Sequence, residues 1–187
     1  MLTLKHAVLS FGFLVAAMLG SVGPATAAAA TPYCGLAWGS LPKVNDALSP
    51  AALSDMRTGQ HGCYDRVVFE FQGPATGYHV NYADHVYSEG KGQELNLAGG
   101  AKLNGQLQEP AYDVQTGAST YRHGVGGHVA DVNGYRTLRD VAYGGSSEGY
   151  TTFGLGVRAR LPFRVFSLAG PGTHSRLVID VAHQWSQ

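Results

Sequence analysis

Charge is scarce in this chain of 187 residues. Lys, Arg, Asp and Glu make up 14%, and 13 basic side chains balance 13 acidic ones. With a formal net charge of zero and so few charges, nothing in the composition points to a nucleic-acid surface or an acidic interaction tail. Long apolar runs are scarce too. The one that stands out, Ala7–Val22, falls short of the roughly 20 residues that a bilayer-spanning helix needs. No second such run follows, so no transmembrane segment is expected after the first residues. Cys34 and Cys63 are the only cysteines. A structural metal centre on those thiolates would need more ligands nearby than His61 supplies.

The first 27 residues read as a secretory signal peptide. Lys5 and His6 form a short positive region, the apolar run follows, and Ala25-Thr26-Ala27 fits the small-x-small cleavage rule. The expected mature chain begins near Ala28, and the expected location is secreted, extracytoplasmic and cell-wall associated. Thr31-Pro32-Tyr33 before Cys34 is no lipobox, which argues against a lipoprotein anchor. In an oxidising compartment two cysteines in one small domain pair. A Cys34–Cys63 bridge would close a loop of about 30 residues, for which chain entropy gives roughly 3–4 kcal/mol.

Gly is abundant, at 26 residues, and Tyr contributes 10. That balance suits short strands joined by tight turns better than helices. Ser175–His183 alternates Leu177, Ile179 and Val181 with Arg176, Val178 and Asp180, the period of a strand with one buried face. Gly170-Pro171-Gly172 ahead of it is turn chemistry, with Phe163–Leu168 as the preceding strand. Arg66-Val67-Val68-Phe69-Glu70-Phe71 follows the same template as Arg176-Leu177-Val178-Ile179-Asp180-Val181. Paired antiparallel, the two would set Arg66 against Asp180, Val68 against Val178 and Glu70 against Arg176, with opposite charges across the ladder. The rival arrangement puts the two strands in opposite sheets.

Further strands are expected at Leu36–Ser40, Tyr78–His85, Gln93–Ala98, Ala101–Leu107, Tyr135–Tyr143 and Thr151–Arg160. Tyr64–Phe71 and Tyr78–His85 read as a hairpin across Gly73–Gly77. Ser49–Ser54 resembles one helical turn, with Ser49 as N-cap and Pro50 at the first helical position. Arg57–Gly62 reads as loop, and Glu109–Val129 as a long irregular excursion. Seven to nine short strands with regular turns give an all-β fold, a single sandwich with little helix. Val67, Phe69, Phe71, Val165, Leu177, Ile179 and Val181 are the expected core.

Five segments carry a family resemblance: Tyr64–Phe71, Gly77–Tyr82, Phe153–Val157, Pro162–Phe166 and Arg176–His183. In this order and spacing the chain resembles the actinobacterial AMIN-like domain, a secreted relative of the AMIN domain. The likeness covers roughly Asp55 to Trp185, which sets the expected organisation: signal peptide 1–27, N-terminal extension 28–54, AMIN-like domain 55–187. It implies a sandwich of two small sheets and a non-catalytic module that targets the cell wall, with peptidoglycan as the implied ligand. It carries no assigned binding residue, and the two cysteines stand outside the motif.

Chemistry is thin. His123 and His128 flank glycines, but a catalytic zinc needs a third protein ligand, so no metal and no cofactor is expected. Asp180 and His183, three apart on a strand, point to opposite faces. Ser146-Ser147-Glu148 has no G-x-S-x-G elbow, and Gly124-x-Gly126-Gly127 does not link a strand to a helix. Aromatic side chains are the better binding candidates. Tyr87, Tyr112, Tyr121, Tyr143 and Tyr150 sit at loop or strand-edge positions, and a tyrosine face suits sugar rings and protein partners alike. Packing at the edge of the core is the alternative for each. The favoured function is a secreted non-catalytic module binding peptidoglycan or another wall glycan. The rivals are a protein-interaction module docking an envelope secretion or division complex, and a secreted hydrolase with an unrecognised site.

Overall fold

The computed structural model describes residues 33–185. The expected signal peptide Met1–Ala27, and its cleavage near Ala28, lie outside the described residues. Nine strands follow in chain order: β1 (Lys43–Asn45), β2 (Ala52–Gln60), β3 (Tyr64–Gln72), β4 (Tyr78–Ala83), β5 (Ala101–Leu107), β6 (Leu138–Ser147), β7 (Tyr150–Val157), β8 (Phe163–Ala169) and β9 (Ser175–Ala182). Among the described residues the one helical piece is a 3-10 turn at Tyr33–Gly35. The strands form two antiparallel sheets, of order β1-β4-β5-β7-β6 and β2-β3-β9-β8. This is the all-β sandwich expected from the strand pattern.

The register of the second sheet follows its charges. β3 and β9 pair antiparallel with Arg66 opposite Asp180, Val68 opposite Val178 and Glu70 opposite Arg176. A slip of one residue would turn Val67, Phe69 and Phe71 to solvent. In the native register these three, with Leu177, Ile179 and Val181, are fully buried. They meet Val80, Leu103, Phe153 and Leu155 from the first sheet in one core cluster. The Phe69 and Phe153 ring centroids are 4.7 Å apart. Val165 packs against this core from its margin. It is only half-buried, because β8 is an edge strand with a neighbour on one side alone.

Several expected elements are corrected. Residues 52–60 form β2, not a helical turn and a loop. Ser49 does cap locally, since its hydroxyl accepts from Ala51 N, but it donates to Pro74 O and leads into a strand. Residues 36–40 form no strand; β1 lies just beyond them. The expected hairpin of β3 with β4 does not form. Both sides of β3 are taken by β2 and β9, so the chain crosses at 73–77 and β4 joins the other sheet. Residues 93–98 make only the bridge between Tyr87 and Glu94. They cover the outer face of the first sheet, where Leu95 and Leu97 bury with Val86 and Ala142. Gly154 and Gly156 permit that cover, because a Cβ would lie 2.6 Å from Leu97 Cδ1 in one case and 1.9 Å from Ala98 O in the other. The turn from β8 to β9 holds Gly170 and Gly172 at φ of 83° and 60°, as its sequence required.

Candidate binding surface

The 93–98 segment covers the β6–β7 part of one sheet; the outer face of the other carries the most concentrated chemistry. Alternation sends Arg57 of β2, Arg66, Val68 and Glu70 of β3, Arg176, Val178 and Asp180 of β9, and Arg164, Phe166 and Leu168 of β8 outward. Pairing sets them in rows: Arg66, Asp180 and Arg164; Arg57, Val68, Val178 and Phe166; Glu70, Arg176 and Leu168. Asp180 is fully buried beneath two guanidinium groups. Arg66 binds it with both ends of its fork, Nε to Oδ1 at 2.6 Å and Nη2 to Oδ2 at 2.9 Å. Arg164 Nε donates to Oδ2 at 2.8 Å. The hydrogen bonds to Asp180 hold the Arg66 guanidinium still more firmly protonated than usual.

Aromatic rings interleave with those arginines. The Arg164 guanidinium carbon lies 4.4 Å from the Trp38 ring centroid and 4.7 Å from that of Phe166. Arg66 lies over Tyr64 and Phe166 at 5.3 and 5.6 Å. Trp38 and Tyr64 are 5.5 Å apart, and His61 stacks on Tyr64 at 4.6 Å. Each cation–π contact contributes about 0.5–1 kcal/mol at an exposed site and more when desolvated. Together they make a stiff surface of flat faces and fixed donors. Trp38, Tyr64 and Phe166 are half-buried, each keeping part of its ring in water.

Trp38 reaches the sheet because the segment before β1 is clamped. The expected disulfide is present between Cys34 and Cys63, next to Tyr64. Phe163 N donates to Gly39 O at 3.0 Å, and Arg160 bonds Ser40 through both its hydroxyl and its carbonyl. A stretch expected as a mere extension therefore supplies the largest ring of this surface. Sequence reading missed Trp38, His61, Tyr64 and Phe166 as a group. The available signal was the run His61-Gly-Cys-Tyr64 beside one cysteine, with Trp38 four residues from the other.

The five tyrosines singled out from sequence do not assemble into one surface. Tyr121 and Tyr143 are 4% and 5% exposed and pack on Phe153 at 5.7 and 5.3 Å between centroids. Their loop and strand-end positions turn inward, so edge-of-core packing is their observed place; burial pushes both phenols up. Tyr112 is half-buried, its hydroxyl accepting from Gly149 N at 3.0 Å. Tyr150 borders a shallow cleft with Asp46, Leu48, His79, Gln106 and Gln108. Tyr87 is 52% exposed beside His85. Among the described residues no ring contact joins Tyr87, Tyr112 and Tyr150.

The titratable groups that could suggest catalysis are held elsewhere. The His123 ring lies tilted against Tyr121 at 4.5 Å between centroids, while His128 Nδ1 bonds Asp140 at 2.6 Å. His183 and Asp180 serve different partners, as their spacing required. His183 Nε2 lies 3.0 Å from Asp65 Oδ1, and Asp65 Oδ2 accepts from Thr137 N and Leu138 N. That dyad is buried, with His183 3% exposed, and ties the end of β9 to the start of β6. Glu109 is fully buried near the β4 entry, and burial pushes its carboxyl up to about 7 against the backbone amides that lower it.

A family model described as the AMIN-like domain matches residues 51–183. No match is found among curated proteins or among solved structures.

Proposed function

The chain belongs to the AMIN-like domain family, whose domains are cell-envelope-related modules, and from that premise we propose that it is a non-catalytic module that binds a cell-wall glycan. Peptidoglycan is the ligand class that best fits. Family membership and the Cys34–Cys63 disulfide favour an extracytoplasmic location. The observation that carries the glycan reading is the interleaved Trp38, Tyr64, Phe166, Arg66 and Arg164 face. Flat rings stack on the apolar faces of sugar rings, and the guanidinium N–H groups of Arg66 and Arg164 that Asp180 does not take are held beside them as donors to hydroxyl, amide and carboxylate oxygens. Preorganisation by the disulfide and the Asp180 fork lowers the ordering cost of binding.

The test is retention on purified sacculi, compared with an unrelated secreted β-sandwich. The wild-type protein should sediment with sacculi, and Trp38→Ala should lose most of that retention while keeping its fold. A module that instead docks an envelope protein complex would ignore sacculi and be retained on its protein partner. Muropeptides incubated with the protein should keep their mass profile; new products would show a hydrolase.

A further inference from the structure

Beside the aromatic rings the same face holds a small groove lined by Arg57, His61, Arg66 and Arg176, with Val68 and Val178 as its floor. Four guanidinium groups on this face, Arg57, Arg66, Arg164 and Arg176, stand with three carboxylates, Asp55, Glu70 and Asp180, of which only Glu70 and Asp180 form ion pairs with them. Asp180 is shared by Arg66 and Arg164. Glu70 lies directly opposite Arg176 in the ladder, which predicts an ion pair between them. It is Arg57, from β2, that takes Glu70 Oε1. Arg176 is left over: its Nε is buried and has no hydrogen-bond partner among the described residues. The remaining acid of β2, Asp55, stands directly opposite Glu70 on the same outward face and is exposed. The Arg176 side chain is otherwise half-buried, and a buried donor of this kind costs stability unless a water or another acceptor reaches it.

We infer that this groove is an anion subsite, in which Arg176, flanked by Arg57 and Arg66, receives a carboxylate or phosphate borne by the glycan. Its volume, roughly 220 Å³, is below that of a pocket for a whole drug-sized ligand and fits one charged substituent. The planar fork of arginine matches two oxygens of either anion. The neutral sugar ring would lie on the adjacent Tyr64 and Phe166 faces. This inference rests on the glycan reading for the identity of the ligand, but the anion site itself can be tested without sacculi.

The experiment follows the Arg176 Nε–H resonance of nitrogen-labelled protein during titration with three probes: N-acetylmuramic acid, inorganic phosphate, and N-acetylglucosamine, which lacks the carboxylate. The two anions should shift that resonance at millimolar concentration, and the neutral sugar should not. Arg176→Gln should weaken the response of the neighbouring Arg57 and Arg66 signals about tenfold, as loss of a charge-assisted pair does. Arg176→Lys, which keeps the charge but not the fork, should give an intermediate loss and guards against a folding defect in the first variant. No shift with either anion, or equal shifts with all three probes, would overturn the subsite. With intact walls, hydrofluoric-acid removal of phosphate polymers and amidation of carboxyls separate the two sources: whichever treatment removes Arg176-dependent retention names the anion. Anion shifts without any sacculus retention would leave the subsite standing and sink the glycan reading, whereas retention that ignores Arg176 would do the reverse.

Discussion

At the scale of single residues, two buried carboxyls behave oppositely. Asp180 has two guanidinium partners and stays a satisfied anion. Removing it would leave two cations facing each other across β9. Asp180→Asn should therefore cost about 3 kcal/mol, toward the lower end for a broken buried pair because Arg164 is 40% exposed. Urea unfolding would measure it, and a change within about 0.5 kcal/mol would show that the pair carries no weight. Glu109 has no cationic partner among its hydrogen bonds. Its Oε1 accepts from Gly77 N at 3.0 Å, while Oε2 has no partner among the described residues. Burial is the main cause of its rise to about 7. A raised carboxyl means that the folded state keeps its proton where the unfolded chain has lost it. Stability is then fully present below about pH 4.5, falls as pH rises through 7, and levels off above, by up to about 3 kcal/mol. Glu109→Gln should remove that slope. Parallel stability profiles for the two proteins between pH 5 and 8 would contradict the assignment.

At the scale of elements, what could be read from sequence depended on whether alternation survived intact. β3 and β9 were legible to the register. Each alternates cleanly, and their outward charges are complementary only in the antiparallel order observed. β2 was not legible, because a register shift between Leu53 and Asp55 breaks its period and Ser49-Pro50 imitates a helix start. The false hairpin of β3 with β4 has another cause: a Gly-Pro turn states that the chain reverses, not which strand it then pairs with. The binding face was hidden for a third reason. Trp38 and Tyr64 meet through a disulfide and a cross-sheet neighbour, and no local period records such a meeting. The glutamate expected opposite Arg176 is opposite it, yet bonds Arg57, a choice that depends on a third strand. Replacing Cys34 and Cys63 by serine should lower stability by roughly 2–4 kcal/mol. It should also release Trp38 from Arg164, read as a red-shifted, more quenchable tryptophan emission. Unchanged emission would mean that the clamp at Gly39 and Ser40 suffices alone.

At the scale of the whole molecule, the 93–98 segment covers the β6–β7 part of one sheet, and the other sheet presents rings and arginines to solvent. The core that holds the two sheets apart is dense. Phe69→Ala, at a fully buried ring against Phe153, should cost roughly 3–5 kcal/mol. A surface-sized effect would show the sheets to be packed otherwise. The interleaved rings and arginines of the open sheet are the proposed binding face, and AMIN-like membership makes the chain a cell-envelope-related module. The most direct measurement is sedimentation of the wild-type protein, Trp38→Ala and Arg176→Gln with purified sacculi. The wild-type protein should be retained, Trp38→Ala should lose most of that retention, and Arg176→Gln should lose about tenfold in affinity. Equal sedimentation of all three proteins, or no retention of the wild-type chain above an unrelated β-sandwich, would contradict the proposed function.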